Sequence, residues 1–88
     1  PFNADTAIRF DLPRALQVDL DVFDPLGQRI RSLWSGVTSA GTHTARWDGR
    51  DANGAMVGTG VYLYRLRLGD RLGEAAAERQ VRRMLLVK

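Results

Sequence analysis

The sequence predicts an all-β protein, an antiparallel β-sandwich of about seven short strands. Several segments alternate apolar and polar residues with a period of two, which is typical of a strand with one buried face. Clusters of Gly, Pro, Asn and Asp separate these segments at short intervals and predict turns. The best helix-forming run, residues 74–78, is too short to make a stable helix alone. A small barrel is the structural alternative.

Composition narrows the class of protein. The 88 residues are predicted to form one domain over residues 1–88, and 44% hydrophobic with 26% charged residues indicates a globular chain. Because cysteine is absent, disulfides and thiolate metal sites are excluded. No apolar run approaches the ~20 residues of a membrane helix, and no stretch of the given sequence has the pattern of a signal peptide. The net charge of +3 is too mild to indicate nucleic-acid binding.

The first two predicted strands carry the clearest alternation in the chain. The first covers residues 6–12, where Pro13 ends it, and the second covers residues 16–22. The polar residues of the second strand are predicted to face away from the core; they are Gln17, Asp19 and Asp21. The residues predicted to be mostly buried between the two sheets are Phe10, Leu20, Val22, Trp47 and Tyr64.

A turn and a third strand follow. In residues 24–27, a proline at the second position and a glycine at the fourth predict a tight turn with a left-handed exit. The third strand is predicted over residues 28 to about 34. Ile30 and Leu33 cannot share one face of a regular strand, so we expect a bulge or a strand end near Ser32.

The middle of the chain predicts a loop and a fourth strand. Residues 35–41 contain glycine and serine at both ends and are predicted as the loop. Residues 42–47 form the fourth strand, with His43, Ala45 and Trp47 on one side.

The last third of the chain predicts the remaining strands. Residues 56–57 are predicted to add a very short strand before the strand that contains Tyr62. One face of that strand holds Tyr62, Tyr64, Leu66 and Leu68, and the other holds Arg65 and Arg67. Residues 69–80 are predicted as a widened hairpin loop. Residues 80–87 form the closing strand, whose apolar residues on both faces indicate a central or covered position. The whole pattern favours an Ig-like β-sandwich.

The loop that follows Trp47 is the first candidate site. Its distinctive residues are Asp48, Gly49, Asp51, Asn53 and Gly54. Clustered carboxylate and carbonyl oxygens are the ligands that Ca²⁺ prefers. An EF-type register, however, puts a glycine where a ligating Asp is needed, and no Glu follows at the required distance. We therefore interpret the segment as a structural loop whose aspartates bond backbone amides, with no metal and no cofactor.

A catalytic site is not predicted. His43 is the single histidine, and an arrangement with Ser35 or Ser39 lacks both a nucleophile elbow and an oxyanion loop. No pair of carboxylates stands in a recognisable acid–base context either. We interpret His43 as a partly buried packing residue.

A basic sheet face is a further candidate. The arginines on predicted strands are Arg29, Arg31, Arg65 and Arg67, extended by Arg79, Arg82 and Arg83. Phosphate binding would need that cluster, ideally with exposed aromatic rings for stacking. We favour the interpretation that these arginines occupy solvated outer positions and that Asp19 and Asp21 offset their charge. Tyr62 and Tyr64 could stack on a sugar only if their rings were exposed. They share a strand face with Leu66, which favours a position in the core for both rings.

Several motifs together resemble a bacterial family. The matching residues of the opening are Pro1, Phe2, Asn3, Thr6, Ile8, Phe10, Leu12 and Pro13. Further matches are residues 22–27, His43, residues 47–51, Gly54, residues 60–66 and the finish at residues 83–88. On these residues the chain resembles the FlgD-type Ig-like domains and the type IX secretion (Por) C-terminal sorting domains. It departs from the pattern at Ala4 and Asp5, and in the longer segment of residues 69–80.

The resemblance implies a seven-stranded sandwich at the C-terminus of a secreted or cell-surface bacterial protein. It implies an export signal or an accessory module, and not a catalyst. The expected partners are secretion or surface-attachment machinery and an upstream domain of the parent chain, which agrees with a chain that starts at Pro1 rather than at methionine. The residues expected to contact the machinery are Arg83, Met84, Leu86 and Lys88. The alternative is a binding or spacer module beside a catalytic domain.

Overall fold

The computed structural model describes residues 6–69 and the backbone of residues 78–86. These residues form six β-strands and no helix. The strands are β1 (Thr6–Leu12), β2 (Leu16–Phe23), β3 (Arg29–Thr38), β4 (Gly41–Trp47), β5 (Gly60–Gly69) and β6 (Glu78–Leu86). β1 pairs with β4, and the other four strands form a sheet in the order β3-β2-β5-β6, with every pairing antiparallel. The all-β prediction is confirmed, and the described residues account for six of the seven or so expected strands.

The two sheets form a sandwich around a continuous apolar layer. The larger group of buried residues is Ile8, Phe10, Leu12, Leu16, Val18, Leu20, Ala45, Leu66 and Leu68, and the smaller is Val22, Trp47 and Tyr62. Since both groups draw on strands of both sheets, the alternating apolar residues of each sheet meet in the middle. Four of the five predicted core residues are buried, and Tyr64 is half-buried at the edge of the larger group.

The turn between β2 and β3 has the predicted form. The amide of Gly27 donates to the carbonyl oxygen of Asp24 at 2.9 Å, and Gly27 has a φ of +88°. One carboxylate oxygen of Asp24 also accepts from the amides of Leu26 and Gln28 at 3.0 and 2.9 Å. The Asp side chain therefore closes the turn that the proline and glycine begin.

β3 is irregular where it faces β2, as expected near Ser32. Leu20 pairs with Trp34 and Asp21 pairs with Ser32, so Leu33 is an extra residue between the two pairs. A second irregularity leaves Ile30 as an extra residue further along. The predicted bulge is confirmed, and the two shifts allow both Leu33 and Ile30 to pack toward the core.

Two sequence-based boundaries are wrong. β3 continues to Thr38 where a loop was predicted over residues 35–41, because Gly36 takes a φ of +137° within the strand and stays paired with Val18. Met56 forms an isolated bridge with Arg50 rather than a short strand.

β6 confirms the predicted closing strand, and of the two expected positions, central or covered, the central one is wrong among the described residues. Among the described residues, β5 is its pairing partner and β6 stands at the end of the sheet. The hairpin loop predicted before it falls largely on residues 70–77, which lie outside the described residues, as does Lys88.

Candidate functional site

Trp47 anchors the loop that follows β4. Its side chain is fully buried, and its ring meets the ring of Tyr62 edge-on with 5.3 Å between centroids. The indole Nε1 donates to the carbonyl oxygen of Arg50 at 3.0 Å. Trp47, the last residue of β4, therefore fixes the first turn of the loop to the core.

The aspartates of this loop accept bonds from backbone amides. The Asp48 Oδ1 atom accepts from the amide of Arg50 at 3.1 Å. The Asp51 Oδ1 atom accepts from the amides of Asn53 and Ala55 at 2.9 and 3.0 Å. Such bonds satisfy amides that have no strand partner, which is the usual role of Asp in tight loops.

Two glycines and the backbone complete the loop. Gly49 and Gly54 have φ values of +79° and +87°, which other residues rarely adopt. The amide of Gly54 donates to the carbonyl oxygen of Asp51 at 3.0 Å, and the amide of Val57 donates to that of Gly49 at 2.9 Å. The five loop residues singled out in the sequence thus lie together in one closed, hydrogen-bonded structure.

Arg31 of β3 ties the loop to the larger sheet. Its Nη1 atom donates to Asp48 Oδ1 and to the carbonyl oxygen of Arg50, both at 3.0 Å. Beside it, the amide of Ala52 donates to the carbonyl oxygen of Ile30 at 2.8 Å. Sequence reasoning had put Arg31 on a basic outer face. The bulge in β3 changes the phase, so Arg31 pairs with Val22 and turns to the loop.

The electrostatics of Asp48 follow from this contact. Its partial desolvation favours a higher pKa, but the amide of Arg50 and the guanidinium of Arg31 stabilise the charged form more strongly. The net result is that the pKa of Asp48 is lowered below its ordinary value. The carboxylate is therefore ionised at neutral pH and holds Arg31 in place.

The polar groups of the loop have a structural role, and we refer to residues 48–57 as the braced loop. The Oδ1 atoms of Asp48 and Asp51 accept from backbone amides, Asp48 Oδ1 also accepts from Arg31, and Arg50 Nη1 donates to the carbonyl oxygen of Gly54 at 2.8 Å. In the part of the chain that the structure describes, no three His, Cys, Asp or Glu side chains lie close enough to hold one metal ion. That the loop binds no calcium stays a prediction.

His43 belongs to an aromatic group. Its ring centroid lies 5.6 Å from both Phe10 and Trp34, and its Nε2 atom lies 2.8 Å from the carbonyl oxygen of Ser39. The Trp34 indole in turn donates to the hydroxyl of Thr38 at 2.8 Å. The contact with Ser39 is thus made to its backbone, in a packed cluster between β1, β3 and β4.

The outer face of the four-stranded sheet holds a feature that sequence reasoning missed. Asp21 was expected to face solvent, but only 4% of its side chain is exposed. It lies 3.5 Å from Arg65 and 3.9 Å from Arg29, and the Arg65 guanidinium lies over the Phe23 ring. The register places Asp21 opposite Arg65, so long side chains from neighbouring strands cover it.

The remaining outer-face arginine makes a looser pair. Arg67 Nη2 lies 4.0 Å from Asp19, which also accepts from the hydroxyl of Ser35 at 3.1 Å. The Nε atoms of Arg65 and Arg67 are buried without a hydrogen-bond partner. Among the described side chains, the face is therefore a mixed layer in which Asp19 and Asp21 offset the charge of the arginines, as predicted.

Three of the four residues expected to contact secretion machinery lie on β6, and the fourth, Lys88, lies outside the described residues. The backbones of Arg83, Met84 and Leu86 pair with Leu63, Tyr62 and Gly60 of β5. They stand at the end of the sandwich where β5 begins. Among the described residues, no helix has the length and apolar character to cross a membrane.

The fold and these features define an Ig-like β-sandwich module. The family model of the FlgD Ig-like domain matches residues 2–69, and the chain belongs to that family. The match covers β1 to β5 and the braced loop, and it ends before β6. A comparison with curated proteins gives no match.

Proposed function

We propose that this protein is a non-catalytic Ig-like module that serves as a secretion or surface-attachment signal for an exported bacterial protein. The family match supports the module. The observation that supports the signal is β6, a strand of the sheet that also carries the residues resembling a sorting-domain finish. A folded sandwich with an end strand rich in arginine presents a receptor with a fixed shape and with positive charge.

The proposal assigns the braced loop a supporting role. The loop of residues 48–57 is held against the end of the sandwich at which β5 begins, through Trp47 and the contact of Arg31 with Asp48. β6 ends at the same place, because Leu86 pairs with Gly60. A rigid end keeps the last residues of β6 in one position relative to the rest of the domain. This would lower the entropy that a receptor must overcome to bind them.

A fusion experiment tests the proposal. Residues 1–88 are placed behind a fluorescent reporter with a signal peptide, in a bacterium with type IX machinery. We expect the reporter at the cell surface, measured by protease accessibility on intact cells. Arg83→Ala with Lys88→Ala should reduce surface delivery without removing apolar residues, and Arg9→Ala with Arg46→Ala is the matched control on exposed positions of β1 and β4. An intact fusion that folds yet stays in the periplasm contradicts the export function.

A second function is an accessory binding or spacer module beside a catalytic domain, in a secreted or surface protein. It is favoured by the extent of the family match, which stops at residue 69 and does not reach the strand on which export rests. The same fusion separates the two functions, because an accessory module folds in the periplasm and goes no further. Export that depends on Arg83 and Lys88 contradicts it.

A further inference from the structure

Among the described residues, β6 forms an open and regular edge of the larger sheet. It pairs with β5 through nine consecutive residue pairs, from Gly60 with Leu86 to Leu68 with Glu78, without a register shift. Among the described residues it has no second pairing partner. In an antiparallel pair, alternate residues direct their N–H and C=O groups away from the partner strand. β6 therefore offers a row of backbone donors and acceptors to an incoming strand.

The opposite edge of the same sheet is built differently. β3 carries two register shifts against β2, and Gly36 takes a positive φ within the strand. Bulges twist an edge and interrupt its row of hydrogen-bonding groups, so they discourage pairing with another chain. Of the two ends of this sheet, β6 is the one whose backbone suits strand addition.

The charges of β6 select the partner. The strand contains three arginines, Arg79, Arg82 and Arg83, against the single acid Glu78. Arg82 is its middle residue, so a second copy added antiparallel in register would place Arg82 directly opposite Arg82 of the first copy. Like charges directly opposite each other destabilise a strand pair, whereas opposite charges stabilise it. The edge disfavours self-association and favours an acidic strand.

We propose that the open edge of β6 binds an acidic, extended segment of a partner protein as an added β-strand. Backbone hydrogen bonds provide affinity in this mode, and side chains on alternate positions provide specificity. The arginines supply that specificity here. The inference deepens the proposed function, on which it rests for the partner's role in the cell, by naming the chemical class of segment that the export or attachment machinery presents.

The binding test uses residues 1–88 and fluorescently labelled ten-residue peptides. One peptide alternates Glu with Val, a matched peptide has Lys for Glu, and a third is the acidic peptide N-methylated at alternate amides. We expect the acidic peptide to bind at least tenfold more tightly than the other two, measured by fluorescence anisotropy, with weaker binding at higher salt. Equal binding of the N-methylated peptide would show charge attraction without strand pairing and would overturn the proposal.

Hydrogen exchange locates the bound peptide. Outward amides of β6 should exchange quickly in the free protein and at least tenfold more slowly when the acidic peptide is bound. Slow exchange of every β6 amide before peptide is added, or protection elsewhere only, overturns the proposal. A short oligonucleotide that binds as tightly as the acidic peptide also overturns it, because the face would then be a general polyanion site.

Charge reversal checks the selecting residues. Arg82→Glu with Arg83→Glu should invert the preference toward the Lys peptide, and circular dichroism establishes that the variant folds. Arg9→Glu with Arg46→Glu, which changes exposed residues of β1 and β4, should leave the preference unchanged. An unchanged preference in the β6 variant, or an altered one in the control, overturns the proposal. If the fusion reaches the cell surface but the domain does not bind the acidic peptide, this inference is wrong and the proposed function is not. If the domain binds the peptide but the fusion is not exported, only the proposed function is wrong.

Discussion

Asp48 and Asp21 both face arginines, but they do so in opposite surroundings. Asp48 has a side chain that is 48% exposed and a 3.0 Å contact with Arg31. Asp21 has a side chain that is 4% exposed and contacts of 3.5 and 3.9 Å with Arg65 and Arg29. The exposed pair has good geometry in a medium that weakens charge attraction, whereas the buried pair has long contacts in a medium that strengthens it.

The two aspartates also owe their positions to different parts of the chain. Asp48 is oriented by its own loop, since the amide of Arg50 two residues away is its other partner. Asp21 is covered by side chains from β3 and β5, and its surroundings exist only once the sheet has formed. The comparison teaches that a local hydrogen-bond pattern places the first carboxylate and the sheet register places the second.

The largest expected effect tests the anchor of the Asp48 loop. Trp47→Ala removes a fully buried ring and its bond to Arg50, and it should lower the free energy of unfolding by about 3–5 kcal/mol. Urea unfolding monitored by circular dichroism measures the loss. Trp47→Phe keeps most of the packing without the indole donor and should cost clearly less. A Trp47→Ala variant that melts within a degree or two of the parent contradicts the core assignment.

The next effect concerns the buried carboxylate. Asp21→Asn removes the charge that offsets Arg65 and Arg29, and it should cost about 1–3 kcal/mol because those two guanidiniums remain partly exposed to water. The matched control is Asp19→Asn on the same strand and face, where the pair with Arg67 is looser, and it should cost about 0–1 kcal/mol. Equal losses in chemical denaturation would show that the burial of Asp21 does not distinguish the two.

A smaller effect depends on pH and belongs to Asp48. Its pKa is lowered in the folded protein, so its contribution to stability is present above the carboxyl's usual pKa and is lost as pH falls below about 4. Asp48→Asn should therefore destabilise the protein at pH 7, and the destabilisation should shrink progressively as the pH falls below about 4.

The matched variant for that test is Arg31→Met, which removes the partner. The two substitutions should be less than additive at pH 7, because either one breaks the same contact. Unfolding curves at pH 7 and at lower pH values give the comparison. A gap between parent and Asp48→Asn that widens toward acid pH would contradict the direction of the pKa shift.

The smallest expected effect is that of calcium. Because the Oδ1 atoms of Asp48 and Asp51 accept from backbone amides, and Asp48 Oδ1 also accepts from Arg31, we predict that millimolar calcium or EDTA leaves the melting temperature unchanged. Differential scanning calorimetry measures it. A rise of several degrees with calcium would show a bound ion, since a ligand of the native state stabilises that state by mass action.

The sequence by itself determined the elements whose cause is local. Alternation of apolar residues placed β1, β2, β4 and β5 within a few residues, and the proline and glycine of residues 24–27 placed the first turn. Ile30 and Leu33 cannot share one face of a regular strand, and this conflict predicted where the bulge lies. Each of these predictions rests on the backbone geometry of a few neighbouring residues.

The tertiary structure alone decided which partner each strand and side chain meets. The extension of β3 to Thr38 depends on pairing with β2, which keeps Gly36 in the strand. The end position of β6 depends on sheet order, which a run of apolar residues does not specify. The burial of Asp21 and the contact of Arg31 with Asp48 join residues far apart in the chain. The alternation along a strand determines which face of the sheet a side chain lies on. The register between strands decides which neighbouring side chains cover it.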